Sequence, residues 1–362
     1  MTVRTRLSLL RWLGPWSGDG MPAGIEREEL RFERPGHEPL RAWLYRRRDQ
    51  APLGNVLVAH GLMPQGPADP RLDRLMRVLA DAGLCAVVPF LPDYMALRFV
   101  PRVAEDFARA AQQFPTLPQR ASDRRIGLLS ISYGAYPMLR LLANAGSAPT
   151  WGGAALFGGY GDPRATIRYC CGVEVGPGLP APDRLNTPGV GMHVLDTLDP
   201  SVNPAPVREA LRALIERTWG RPADQRPDPE PTARELGASL ADPERALFRL
   251  AAGLEPGSRA ALDDAIRRSP IPETMDARPH LATVAMPVHL MHARSDDVIP
   301  YTETVAIRDA LPATASVRTY ITGLFEHAGS AGGPGRVSTL ARELATFARM
   351  AGAVAHICTR PS

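Results

Sequence analysis

Six short, nearly unbroken apolar runs, at 55–59, 84–91, 126–131, 153–157, 288–292 and 317–322, constrain the fold of this 362-residue chain more than any other feature. They alternate with segments of helical apolar spacing at about 71–82, 103–113, 133–145, 302–311 and 337–351. Strands that are apolar on both faces belong to a parallel sheet with helices packed on either side. Ahead of them, residues 25–48 alternate polar and apolar side chains on both sides of Pro35-Gly36, the pattern of an antiparallel hairpin with one wet face. The alternation of strand and helix stops between 160 and 281. There a Pro/Gly-rich passage at 172–206 gives way to amphipathic helices at 206–219, 243–254 and 258–266. The expected architecture is α/β, a mostly parallel sheet with helices on both faces and a helical cap inserted into it. The expected parts are an N-terminal segment 1–24, a first core part 25–160, a cap 161–285 and a second core part 286–362.

Composition removes whole chemistries. All 42 Lys+Arg residues are arginine, and a chain without lysine has no Schiff-base nucleophile and no P-loop lysine. The net charge of +4 is spread as arginines alternating with acids instead of one basic stripe, so nucleic acid is not an expected partner. The four cysteines, Cys85, Cys170, Cys171 and Cys358, lack zinc-site spacing, and so few thiols fit a reducing, cytoplasmic compartment. No metal or cofactor is expected. Arg11 interrupts the apolar run at 7–16 and no small-residue cleavage site follows closely, so we expect an N-terminal helix packed on the domain, not a signal peptide, with peripheral membrane association through this run and its arginines as the alternative. The long uncharged stretch 141–161 is broken by Asn144, Pro149 and glycines, and no integral membrane segment is expected.

The run at 126–131 leads through Ser130-Ile131-Ser132-Tyr133-Gly134 into a helix. A serine on a sharp strand-to-helix turn, flanked at two residues by small side chains, has the form of a nucleophile elbow. Ser130 stands where glycine is usual. A hydroxyl needs a base to take its proton and a carboxylate to orient that base. His327, after the last strand and before the last helix, suits the base. His289 and His292, three apart in one strand, face opposite ways and cannot share a metal. His193 has no motif around it and reads as a surface or packing residue. Asp296, at the end of the 288–292 run, is the favoured acid, since strand-end acids point into the crevice of open α/β sheets. Asp297 beside it reads as a turn or helix cap, and Asp162 is the runner-up acid.

Ser132, Asp296 and His327, in that order and at strand ends, resemble the α/β-hydrolase superfamily. Val56-Leu57-Val58-Ala59-His60-Gly61-Leu62 looks like the His-Gly segment after an early strand of that superfamily. The resemblance covers about 25–160 and 286–351 and implies acyl transfer with no cofactor. Ser132 would be the nucleophile, His327 the proton carrier and Asp296 its orienter. The backbone N–H groups of Leu62, or alternatively Met63, and of Tyr133 would form the oxyanion hole. His60 would buttress the loop. The implied activity is that of a serine hydrolase cleaving carboxylic esters. A serine peptidase, an acyltransferase and a non-catalytic binding protein of the same fold are the alternatives. Trp219, Met192 and Phe248 would give a small-molecule acyl substrate an apolar acyl or alcohol pocket, or equally would pack the cap onto the sheet; Tyr94, after a strand, would line the pocket or belong to a rigid turn.

Overall fold

The computed structural model describes residues 2–14, 18–145, 150–173, 175–220, 225–323 and 334–362. The strands are β1 (Ile25–Phe32), β2 (Leu40–Arg47), β3 (Gly54–Ala59), β4 (Leu84–Pro89), β5 (Ile126–Ile131), β6 (Trp151–Phe157), β7 (Val288–Ala293) and β8 (Val317–Thr322). They form one sheet in the order β1-β2-β4-β3-β5-β6-β7-β8. β1 and β2 are the expected antiparallel hairpin, β2 is antiparallel to β4, and every later pairing is parallel.

The helices are α1 (Thr2–Leu13), α2 (Pro70–Asp81), α3 (Pro92–Met95), α4 (Arg102–Gln113), α5 (Ala135–Ala145), α6 (Pro163–Cys170) and α7 (Thr187–Leu198). They continue with α8 (Pro204–Thr218), α9 (Pro229–Gly237), α10 (Asp242–Ala251), α11 (Ser258–Arg268), α12 (Ile271–Thr274), α13 (Thr302–Ala310) and α14 (Pro334–Thr359). Side chains alternate across a strand, so each central strand feeds two cores. Val56 and Val58 join a cluster with α1, α2 and α14, whereas Leu57 and Ala59 join one with α4, α5 and the helices between β6 and β7. α1 packs against α14 and α2: Leu9 is buried, and the Trp12 indole N–H donates to Asp81 at 2.8 Å. No helix among the described residues is long and apolar enough to cross a membrane.

Two elements differ from the sequence reading for a packing reason. α7 lies inside the passage whose prolines and glycines read as a loop. Its glycines let helices meet closely: a Cβ at Gly191 would stand 2.2 Å from the Ala251 carbonyl oxygen, and one at Gly189 would be 3.0 Å from the Trp219 ring. Tertiary contact here overrides helix propensity. α14 runs eight residues beyond the expected end, because its last turn is seated on the sheet through glycine-sized gaps. Cβ atoms at Gly54 and Gly152 would stand 2.1 and 2.0 Å from the carbonyl oxygens of Cys358 and Ile357.

Gly152→Ala therefore forces backbone apart and should lower unfolding stability by about 2 kcal/mol or more, as overpacked sites do. Gly352→Ala, inside α14 with only ordinary contacts to the Arg6 side chain, should instead gain about 0.5–1 kcal/mol. Urea unfolding of both variants checks the pair of opposite signs.

Candidate active site

The carboxyl ends of the parallel strands meet at one edge of the sheet, and the chemistry-bearing residues gather there. Ser132 follows β5 with φ +54°, a left-handed backbone uncommon outside glycine. So sharp a turn needs neighbours that stand close. A Cβ at Gly134 would lie 2.3 Å from the Ala59 carbonyl oxygen, and one at Gly61 would lie 3.1 Å from Ser132 Cβ. Ser130 is fully buried in the strand, where a small side chain fits. Tyr133 stands in the first turn after the strand, where N–H groups lack intrahelical acceptors.

His60 fixes the facing loop. Its Nδ1 lies 2.7 Å from the Gly61 carbonyl oxygen, and its Nε2 accepts the Leu91 N–H at 3.2 Å. With Nε2 accepting, the ring is neutral and Nδ1–H is the donor, and burial pushes its pKa down to about 4. A ring so occupied buttresses the loop and carries no proton for a reaction.

A cavity of about 660 Å³ opens above Ser132, lined also by Leu62, Met63 and Tyr133. Leu185, Val190, Ile215, Trp219 and Val298 make its wall largely apolar. The Trp219 indole N–H donates to the Leu185 carbonyl at 2.5 Å, which holds that wall in one orientation. Charged residues reach the cavity already paired, Arg71 with Asp69 at 2.8 Å, Arg226 with Asp183 at 3.3 Å, and Glu216 with Arg212, which stands outside the lining, at 2.8 Å.

Asp296 follows β7, two strands from Ser132 in the sheet. Its Oδ1 accepts the Val298 and Ile299 N–H groups at 3.0 and 2.9 Å, and its Oδ2 lies 3.3 Å from His292 Nε2. A Cβ at Gly158, just past β6, would be 3.2 Å from that Oδ2, so the carboxylate extends over the end of β6 toward the serine's side. His327 lies outside the described residues. β8, the strand that leads to it, ends at this same edge, where Thr322 Oγ1 and the Gly323 N–H donate to Glu343 at 2.7 and 2.9 Å.

Other residues stand elsewhere than the sequence indicated. Tyr94 is wholly buried and not among the cavity's lining residues. Its hydroxyl donates to the Tyr133 carbonyl at 2.7 Å, beneath the elbow. Met192 and Phe248 point into the core, because the lining face of the α7 region is Asn186, Gly189, Val190 and His193, spaced i, i+3, i+4 and i+7. His193, which no motif marked, is thus a cavity histidine; burial first and Arg208 second lower its pKa to about 4. Asp297 is no cap but an ion-pair partner of Arg226 at 2.5 Å. Asp162 is occupied at the start of α6, accepting the Ala165 N–H at 3.0 Å, and pairs with Arg278 at 3.0 Å.

Because folded His60 titrates near 4 and an unfolded histidine near 6.5, only the unfolded chain takes up this proton between those values. Stability is full above about pH 6.5 and is lost as pH falls toward 4. His193 and His289, also lowered to about 4, act in the same direction. His60→Asn should be less stable at neutral pH, and its thermal midpoint should fall less steeply than the parent's across that window. Identical slopes would contradict the buried neutral ring.

No protein-family model matches the chain, and no curated protein matches it. Solved structures do. An acylaminoacyl peptidase from Pyrococcus horikoshii is 13% identical with a TM-score of 0.49, over 94% of this chain and 43% of its own. The chain thus spans less than half the length of that peptidase. A 2,6-dihydroxy-pseudo-oxynicotine hydrolase is 14% identical with a TM-score of 0.49, over 93% of this chain and 70% of its own. The esterase domain of a Rhodothermus marinus protein is 16% identical with a TM-score of 0.45, over 92% of this chain and 99% of its own. By the order and direction of its eight strands and the strained turn after β5, the chain has the α/β-hydrolase fold.

Proposed function

We propose that the chain is a serine hydrolase that cleaves an uncharged, largely apolar carboxylic ester through an acyl-enzyme. The observation that carries the reading is the left-handed backbone of Ser132 at the mouth of a strand, opening into a cavity with Leu62 and Tyr133 beside it. Strain of this kind persists only where surrounding contacts hold it, and it belongs to sites where a side chain must be presented.

In the proposed reaction Ser132 Oγ attacks the ester carbonyl carbon while His327 takes the hydroxyl proton. Asp296 holds the imidazole in the tautomer that leaves Nε2 free and stabilises the imidazolium. The N–H groups of Leu62 and Tyr133 donate to the oxyanion. His327 then returns the proton to the departing alcohol, and water, deprotonated by the same ring, releases the acid. The helices between β6 and β7 serve as a cap, and Trp219 with its aliphatic neighbours receives the apolar group. An uncharged substrate is favoured because the rim charges already satisfy one another. A volume of about 660 Å³ suits a substrate of drug-like size.

A fluorophosphonate probe should label Ser132 in the folded protein, with the site read by mass spectrometry, and Ser132→Ala should abolish labelling. On p-nitrophenyl butyrate, His327→Ala and Asp296→Asn should each lower kcat by about 10³-fold or more while the fold persists by circular dichroism. His193→Ala should keep most of kcat and alter KM. A larger loss from His193→Ala than from His327→Ala would move the base into the cap. Turnover of aminoacyl anilides without esters would replace the esterase reading by a peptidase.

A further inference from the structure

A second hollow of about 390 Å³ lies on the other face of the sheet, between α1, α14 and the β7–β8 pair. It shares no residue with the cavity above Ser132. Its charged lining is all of one sign, Arg6 from α1, Arg318 from β8 and Arg349 from α14; His289 and His356 line it beside them. Among the described residues no carboxylate lines it. Among the described residues, Arg6 and Arg318 have neither an ion pair nor a side-chain hydrogen bond. Arg349 bonds only neutral groups, the Ala345 carbonyl at 3.3 Å and the Thr346 hydroxyl at 3.2 Å.

His289 is the independent sign that the hollow is built to be filled. It is paired across the strands with Arg318 and is only 7% exposed, yet among the described residues neither ring nitrogen has a hydrogen-bond partner; Nδ1 is closed off from solvent, so the ring meets the hollow through its Nε2 edge. Buried polar atoms in folded proteins are almost always satisfied by protein, water or ligand. Burial, then the charges of Arg318 and His356, lower its pKa to about 4, so the imidazole is neutral beside these guanidinium groups. Three unopposed guanidinium groups around one concavity repel one another, and a bound multivalent oxyanion removes that cost while accepting their forked donors.

We propose that this hollow binds a dianionic phosphate group, held by Arg6, Arg318 and Arg349 with the Nε2–H of His289 completing the contacts. The group is carried either on a small soluble molecule or on a lipid. Val3 lines the hollow at 69% exposure and Leu7 follows on α1 at 61%, so apolar side chains stand beside the cations.

Calorimetric titration with inorganic phosphate against chloride of matched ionic strength tests the site. Co-sedimentation with phosphatidylcholine vesicles, with and without phosphatidic acid, separates the two sources. Saturable phosphate binding without vesicle capture assigns a soluble ligand; capture that needs phosphatidic acid assigns a lipid. In either case Arg318→Gln and Arg6→Gln, both at exposed positions, should weaken binding about tenfold each, and Ser132→Ala should leave it unchanged. His289→Gln tests the ring, with thermal unfolding as its folding control. Absence of both phosphate binding and phosphatidic-acid-dependent capture, or binding indifferent to Arg318→Gln and Arg6→Gln, would overturn the proposal.

Discussion

The left-handed backbone at Ser132 is the constraint on which the site depends. Such a conformation costs on the order of 1–3 kcal/mol and must be over-determined by its surroundings. Three sets of contacts do so here. Gly134 lets the start of the helical turn press on the Ala59 and His60 carbonyls. Tyr94 donates to the carbonyl of Tyr133 from below. His60 binds the loop opposite, joining Gly61 to Leu91 and so tying the β3 and β4 ends together. None of these groups needs to touch a substrate; together they leave the Ser132 side chain at the floor of the cavity.

The helices between β6 and β7 are fastened to the same edge by ions and backbone. Arg226 reaches both Asp183 and Asp297, and the Asp183 N–H donates to the Asp297 carbonyl at 2.9 Å. Asp297 is the neighbour of Asp296, so the loop carrying the proposed acid is also the loop to which the insertion is latched. Movement of these helices would therefore be felt at Asp296 as well as at the cavity mouth. On the far side of the sheet α14 fills the glycine-lined gaps, leaving the carboxyl edge open.

Much of this was legible in the chain because its signals were local. Buried strands show as apolar runs, and Ser130, Ser132 and Gly134 fall where a strand gives way to a helix. Asp296 stands out by its position past β7, and His60 by the His-Gly pair after β3. What stayed hidden depends on distant partners. His193 carries no local pattern, and it reaches the cavity only because Gly189 and Gly191 let α7 lie close to Trp219 and α10. Tyr94 read as a pocket residue from its Pro-containing loop, but α3 turns it under the elbow. The cationic hollow joins α1 to β8 and α14, which follow it more than 300 residues later in the sequence.

The central claim is that one imidazole bridges Ser132 and Asp296. A high-resolution crystal structure of the whole chain measures it directly. The account predicts His327 Nε2 within about 3.2 Å of Ser132 Oγ, with Nδ1 at the same range from Asp296. His327 directed to solvent, with another histidine or none against the serine hydroxyl, would contradict it.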